Sequence, residues 1–405
     1  MKKFLKYTMM MMAAMVVTSF VACSSDDDDE VKSFPLTITL NTGDVAATNI
    51  SNIKIIVKGT AKADTITMNS VAEKKLTLTQ GTYNITVSGK VKDEATAYVQ
   101  GTATAELYAE KSVTVNLTKY NQSPLVFKTL HTTGSVQYYV LDSYFEIVNN
   151  SDEIQYLDGL VVANTLANLK AKSAWQEAFP DKYRTGDASN AIVLAFPGSG
   201  HDYPLQPGQF VVVADQALDH TKAYGDDESK KDEYAGAPNL SAANFEKYYG
   251  NGDVDNESVP NMDIVVRMNQ YKKMWAFGVS GGAYFLVKLP EGTTWQQFAA
   301  DESNYETQPN STSTGQVLMI PSKYVLDAVD VYANGVDAAD HYPFFLPKDD
   351  ANGIQGNPAY AGKCIRRKVS KIENGRVYYK DTNSSRDDWK NGQDLTPGLT
   401  PNTVD

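Results

Sequence analysis

Asp253, Asp255 and Glu257 stand at alternate positions, the spacing in this chain best suited to chemistry. Oxygen ligands on every second residue suit a hard cation, and calcium is the ion that gathers several flexible carboxylates. The loop is not an EF-hand. Ser258 occupies the place of the turn glycine, and Ile264 the place of the bidentate glutamate. A solvated acidic loop is the competing reading, because clustered like charges repel and stay hydrated.

Two histidine–carboxylate neighbours, His201-Asp202 and Asp219-His220, flank the apolar run Val211–Ala214. A transition-metal site needs three or four ligands, and the sequence leaves the separation of these pairs open. Neither HExxH nor CxxC nor a phosphate loop occurs. Ser280-Gly281-Gly282 lacks the setting of a nucleophile elbow, since apolar strand runs lie on both sides and no helix follows. Paired acids of the kind glycosidases use carry no weight, because 49 Asp and Glu guarantee some pair. Cys364, beside Arg366 and Arg367, reads as a small core residue.

Aromatic side chains on loops are the other candidates. Trp295 opens a short predicted helix, Trp295-Gln-Gln-Phe298, while Trp275 sits in an apolar strand and reads as core. Tyr203, Tyr248 and Tyr249 enlarge the aromatic pool. Trp295, Tyr203, Tyr248 and Tyr249 are the predicted ligand-binding residues, for an unknown ligand.

These residues need a scaffold, and the pattern is that of strands. The stretch Tyr144–Val162, YFEIVNNSDEIQYLDGLVV, predicts strand, turn, strand, with Phe145, Ile147 and Ile154 on the buried side. Asn149-Asn150-Ser151-Asp152 supplies the turn chemistry. Upstream, short alternating runs recur about every ten residues over 34–119, the signature of a sandwich. Tyr120–Pro124 is a polar break before a second domain. In that domain, Asn168–Phe179 predicts a core-packing helix that Pro180 stops.

The first thirty residues concern address. Lys2, Lys3 and Lys6 precede an apolar run, Met9–Val21, too short to span a bilayer and placed as a secretory signal. It ends in Phe20-Val21-Ala22-Cys23, which resembles the lipobox of bacterial lipoproteins. That resemblance implies a signal peptide over 1–22 and lipidation of Cys23, whose acyl chains would anchor the protein. Residues 23–33 form an acidic tether, Asp26 to Glu30 being five like charges in a row. An acidic run there resembles the surface-export signal of Bacteroidota lipoproteins. Removing Lys2, Lys3 and Lys6 with the leader takes three positive charges from a net −12, leaving −15. So acidic a chain is not expected to bind nucleic acid. With Cys23 on lipid, Cys364 stands alone and no intramolecular disulfide forms.

Gly81-Thr-Tyr83 followed by Asn84–Gly89 resembles a segment of transthyretin-like and carboxypeptidase-regulatory-like modules. The larger domain resembles lamin-tail domains. The resemblance rests on Tyr144–Leu160, Leu205-Gln-Pro-Gly–Val213, Val325-Leu-Asp327–Val331, Gly362–Arg367, Asp381–Trp389 and Thr396-Pro-Gly398. The whole layout resembles an uncharacterised lipoprotein family of gut Bacteroidota, known only as a domain of unknown function. The resemblance implies an all-β fold: a small sandwich at 34–119, then a larger lamin-tail-like, Ig-like sandwich at 125–405. Loop and short-helix insertions fall at about 164–204 and 217–262.

The expected function follows from address and architecture. It is a membrane-anchored, surface-exposed binding or accessory protein, working in nutrient capture beside an outer-membrane transporter. A surface hydrolase with a metal or paired carboxylates in 217–262, and an adhesion protein, are the alternatives.

Overall fold

The structure is a computed structural model that describes residues 32–59, 63–92, 97–186, 193–250, 252–266 and 280–405. The leader, Cys23, nearly all of the tether, and Trp275 lie outside these residues.

The protein is all-β, with short helices between strands. The first part holds β1 (Ser33–Asn41), β2 (Ile50–Lys58), β3 (Ala63–Met68), β4 (Lys74–Thr79), β5 (Gly81–Val91), β6 (Ala97–Leu107), β7 (Lys111–Asn116) and β8 (Thr118–Asn121). They form a three-stranded sheet, β4-β1-β7, and a five-stranded sheet, β3-β2-β5-β6-β8. Alternation decides the packing. Ile53, Ile55 and Val57 of β2 and Ile85 and Val87 of β5 face one core with Leu36 and Ile38 of β1. At Gly81 the chain turns into β5, and the Tyr83 hydroxyl donates back to Thr79 O at 2.8 Å. The Tyr83 ring lies over Gly59, where a Cβ would sit 2.8 Å from it.

The larger part begins with β9 (Leu125–His131), β10 (Tyr144–Asn149), β11 (Gln155–Tyr156), β12 (Val161–Thr165) and the helix α1 (Ala174–Ala178). Next come β13 (Lys182–Arg184), β14 (Val193–Ala195), β15 (Pro204–Leu205), β16 (Phe210–Ala214), α2 (Lys231–Tyr234), β17 (Phe245–Glu246) and β18 (Asp263–Val266). Then follow β19 (Gly282–Val287), α3 (Trp295–Ala300), β20 (Tyr305–Thr307), β21 (Gln316–Pro321), β22 (Val325–Tyr332) and β23 (Ile354–Gln355). The chain ends with β24 (Lys363–Arg367), β25 (Val369–Glu373), β26 (Arg376–Tyr379), α4 (Ser385–Asp388) and β27 (Trp389–Asp394).

Two six-stranded sheets make the body, β17-β16-β10-β9-β24-β27 and β18-β14-β12-β19-β22-β23. Phe127, Phe145, Ile147 and Val213 of the first meet Val162, Leu194, Leu286 and Val329 of the second in the main core. Both outer faces are covered too. Val161, Ala163 and Phe285 pack under Tyr183, Phe298, Phe344 and Phe345. Tyr144, Val212 and Ala214 pack under Ala217, Leu240 and Val259 of the second insertion.

This layering corrects two expectations. Tyr144–Val162 does run strand, turn, strand, but it is not the hairpin that the lamin-tail resemblance implies: β10 belongs to one sheet and β12 to the other, so the stretch crosses between sheets. All six residues of β10 are buried, because the insertion covers its second face, while Ile154 is exposed. The predicted helix at 168–179 shrinks to the five residues of α1, none of them buried. Ser173 starts it late with a capping box, its hydroxyl accepting from Gln176 N–H.

The residues that carry the resemblance meet in space. Arg367 is fully buried and its guanidinium reaches both Asp327 oxygens, at 2.7 and 2.6 Å. It also donates to Phe127 O and Lys380 O and lies over the Trp389 ring. Asp381, 3.5 Å away, accepts from Ser123 N–H at 2.8 Å. Asn149 donates to Leu205 O at 2.7 Å, and Glu146 accepts from Gly398 N–H at 2.7 Å. The motifs therefore tie distant segments together through buried polar bonds, which are costly to leave unmade.

Candidate functional site

A cavity with a volume of about 380 Å³ opens between three loops. These are 156–160 after β11, 198–200 before β15, and 288–296 running from β19 into α3. Trp295 and Tyr156 line it, with Gly159, Gly198, Gly200 and Gly292 between them.

Asp158 holds one wall. Its carboxylate accepts from the main-chain N–H groups of Gly200, Asp202 and Tyr203 at 3.0, 2.8 and 2.9 Å. Burial alone would raise its pKa, but these three donors override that and hold it below the ordinary value. Gly198 is required there. Its φ is +116°, and a Cβ would lie 2.2 Å from Asp158 Oδ1. Across the cleft, Thr294 caps α3 by accepting from Gln297 N–H. The Trp295 indole N–H donates to Asp263 Oδ2 at 3.2 Å, fixing the ring. Tyr156 is one-third exposed and meets the His201 ring edge-on at 4.5 Å. Lys288 and Glu291 add one charge of each sign to the rim.

Of the predicted ligand-binding residues, Trp295 lines this cleft. Tyr203 buttresses it from behind, packed on Phe245 at 5.1 Å. Tyr249 is buried in the main core, and Tyr248 is half-buried away from the cleft lining. Tyr156, Asp158 and the Gly198-Ser199-Gly200 turn were not singled out from sequence. Their signal was the Asp158-Gly159 break facing a second glycine turn, which gains meaning only once the loops are side by side.

The acidic triplet is arranged otherwise than a calcium loop. Asp253 turns inward to Lys247, at 3.4 Å, and accepts from Gln216 Nε2 and Tyr249 N–H, each at 2.9 Å. Lys247 is itself buried and lies 2.6 Å from Asp215. Asp255 and Glu257 are exposed, and Asp255 accepts from Asn261 Nδ2. Among the described residues no three His, Cys, Asp or Glu side chains gather in a metal-sized group. The two histidine pairs also stay apart. His220 is buried, with Nδ1 2.6 Å from the Tyr139 hydroxyl and Nε2 2.9 Å from Gln216 O, whereas His201 is exposed beside Tyr156. Cys364 is buried and its thiol is pushed up to about 12 by burial, as suits a core residue. No helix follows Ser280, which leads straight into β19.

No curated protein matches the chain. Among solved structures, a family protein of unknown function (DUF4876) from Bacteroides thetaiotaomicron is similar at 26% identity and a TM-score of 0.59. The match covers 92% of this chain and 97% of that one. A DUF3823 family protein from Parabacteroides merdae matches at 14% identity over 35% of this chain and 69% of that one, with a TM-score of 0.17. The fimbrial anchor protein Mfa2 from Porphyromonas gingivalis matches at 8% identity over 44% of this chain and 66% of that one, also at 0.17. A family model of a protein of unknown function, DUF4876, matches residues 206–396. That span runs from the turn before β16 through β27, so residues 206–396 of the second body match the DUF4876 model.

Proposed function

We propose that the chain is a binding protein held at the outer membrane through Cys23, and that the Trp295–Tyr156 cleft is its ligand site. The cleft is the observation that carries this reading. Its volume of about 380 Å³ suits a small molecule, and its walls combine two aromatic rings with main-chain polar groups. One Lys and one Glu on the rim balance, and the Asp158 carboxylate is turned to three main-chain N–H groups, which leaves no unbalanced charge free to meet a ligand. The ligand class it suits is a small neutral molecule with hydroxyl or amide groups and one apolar face. Nutrient capture beside an outer-membrane transporter is the setting that the acidic tether and lipid cysteine support.

A thermal-shift panel of neutral saccharides, short peptides and iron chelates tests the reading. A saturable shift with one class, lost in Tyr156→Ala and weakened in Trp295→Phe, is expected. Shifts that survive both substitutions would place the ligand elsewhere.

A further inference from the structure

Among the described residues six that are not glycine adopt positive φ: Asn52, Tyr138, Asn310, Tyr360, Asn374 and Asn383. The asparagines are ordinary, since Asn tolerates the left-handed region. The two tyrosines are not, and they touch. Their ring centres lie 5.8 Å apart, with the planes inclined at 60°.

Both occupy the third position of a four-residue turn. Tyr139 N–H donates to Val136 O at 2.9 Å, and Ala361 N–H to Pro358 O at 3.3 Å. With φ of 62° and 59°, Tyr138 and Tyr360 hold the place such turns give to Gly or Asn. The second turn is clamped to residues 133–134, just before the first. Tyr360 N–H donates to Thr133 O at 2.7 Å, and Gly362 N–H to Gly134 O at 3.3 Å. Gly134 makes the approach possible, since a Cβ there would meet Tyr139 O at 2.3 Å.

Tyr138 is 83% exposed, so core packing does not compensate for its backbone. Strain of this kind, kept without packing in return, marks a side chain displayed for recognition. The setting narrows the ligand. In a chain with 21% charged residues, 132–141 and 354–362 contain none. Of their polar residues Thr132, Thr133 and Asn357 are buried, and Gln137 stands exposed beside Tyr138. Two inclined aromatic rings with one exposed, uncharged amide beside them match a pyranose ring, which offers C–H groups to aromatic faces and hydroxyls to amides.

We infer that Tyr138 and Tyr360 form a second binding platform, distinct from the cleft, for a neutral polysaccharide. None of the residues in these turns lines the cleft. Native electrophoresis of the full chain through gels containing soluble mannan, xylan or β-glucan tests it. The expected result is retarded migration in at least one gel. Tyr138→Asn and Tyr360→Asn should lose the retardation while melting at the same or a higher temperature, because Asn suits both turns. Tyr156→Ala, in the cleft, should keep it. Retardation unchanged in both Asn variants, or absent from every gel, overturns the inference. So does a lower melting temperature in both, which would mean that the rings hold the fold together. Capture of a protein by the wild type and not by Tyr138→Asn, without retardation, would assign the platform to a protein interface instead.

Discussion

Arg367 is fully buried with three carboxylates around it, and Asp327 takes its charge in a two-pronged contact. Removing the guanidinium leaves Asp327 buried and unpaired. Arg367→Met should cost about 3–5 kcal/mol in urea unfolding. A loss well under 1 kcal/mol would show that Asp327 simply takes up a proton. Asp381, with the weaker contact, is pushed up to about 7 by burial, against the pull of Arg367. The folded chain therefore keeps a proton that the unfolded chain releases above roughly pH 4. Stability from this group falls as pH rises from about 4 to about 7. Burial raises Asp330 and Asp350 as well, with the same sign. His220, lowered by burial, opposes them, its contribution being lost as pH falls below roughly 6.5. Urea midpoints at pH 5 and pH 7.5 should thus differ less in Asp381→Asn than in the wild type. Equal pH dependence in the two would mean that Asp381 is ionised throughout. In the sequence Arg366 and Arg367 stand out only as neighbours of Cys364. Sequence reading missed the cluster because Asp327, Arg367 and Asp381 are far apart in the chain and meet only across the sandwich.

The loop Gly198–Tyr203 stands or falls with Asp158. Asp158→Ala removes the acceptor of three main-chain donors. Amide exchange at Gly200, Asp202 and Tyr203 should quicken while the β10 amides stay protected. Slow exchange at all three in the variant would show that the loop is held otherwise. Gly198→Ala should be worse than Asp158→Ala, since its Cβ meets the carboxylate and its φ is unsuited to Ala. The strands themselves were legible in sequence. Ile53–Val57, Tyr83–Val87 and Val211–Val213 alternate or run apolar, and all of them lie within observed strands. Which strands share a sheet was not legible, because pairing is non-local. Tyr144–Val162 has the chemistry of a hairpin, yet β10 and β12 end in opposite sheets. The helix at 168–179 failed for a related reason. Apolar spacing there was real, but the capping residue Ser173 delays the helix and Leu169 packs as loop instead.

At the scale of the molecule, fold and site separate. The ordered motifs pointed to a lamin-tail-like sandwich, and their residues proved to be internal ties of the observed two-sheet body. They say nothing of a ligand, because buried bonds specify a fold and exposed surfaces specify a partner. Two surfaces remain as candidates: the cleft, walled by glycine turns, and the strained tyrosine pair. Sequence found one cleft residue, Trp295, through its aromatic character. It could not find Tyr138 or Tyr360, since nothing local announces an unfavourable backbone. The proposed anchor has its own test. Cys23→Ala should move the chain from the membrane fraction to the soluble fraction, and unchanged fractionation would contradict lipidation at Cys23.

The most direct test of the account is a calorimetric titration of the full chain with whichever neutral ligand the thermal-shift panel selects, beside Tyr156→Ala. The account predicts one saturable binding event at the cleft, abolished or strongly weakened in the variant while its melting temperature is kept. Binding of equal strength in Tyr156→Ala would contradict the assignment of the cleft as the ligand site.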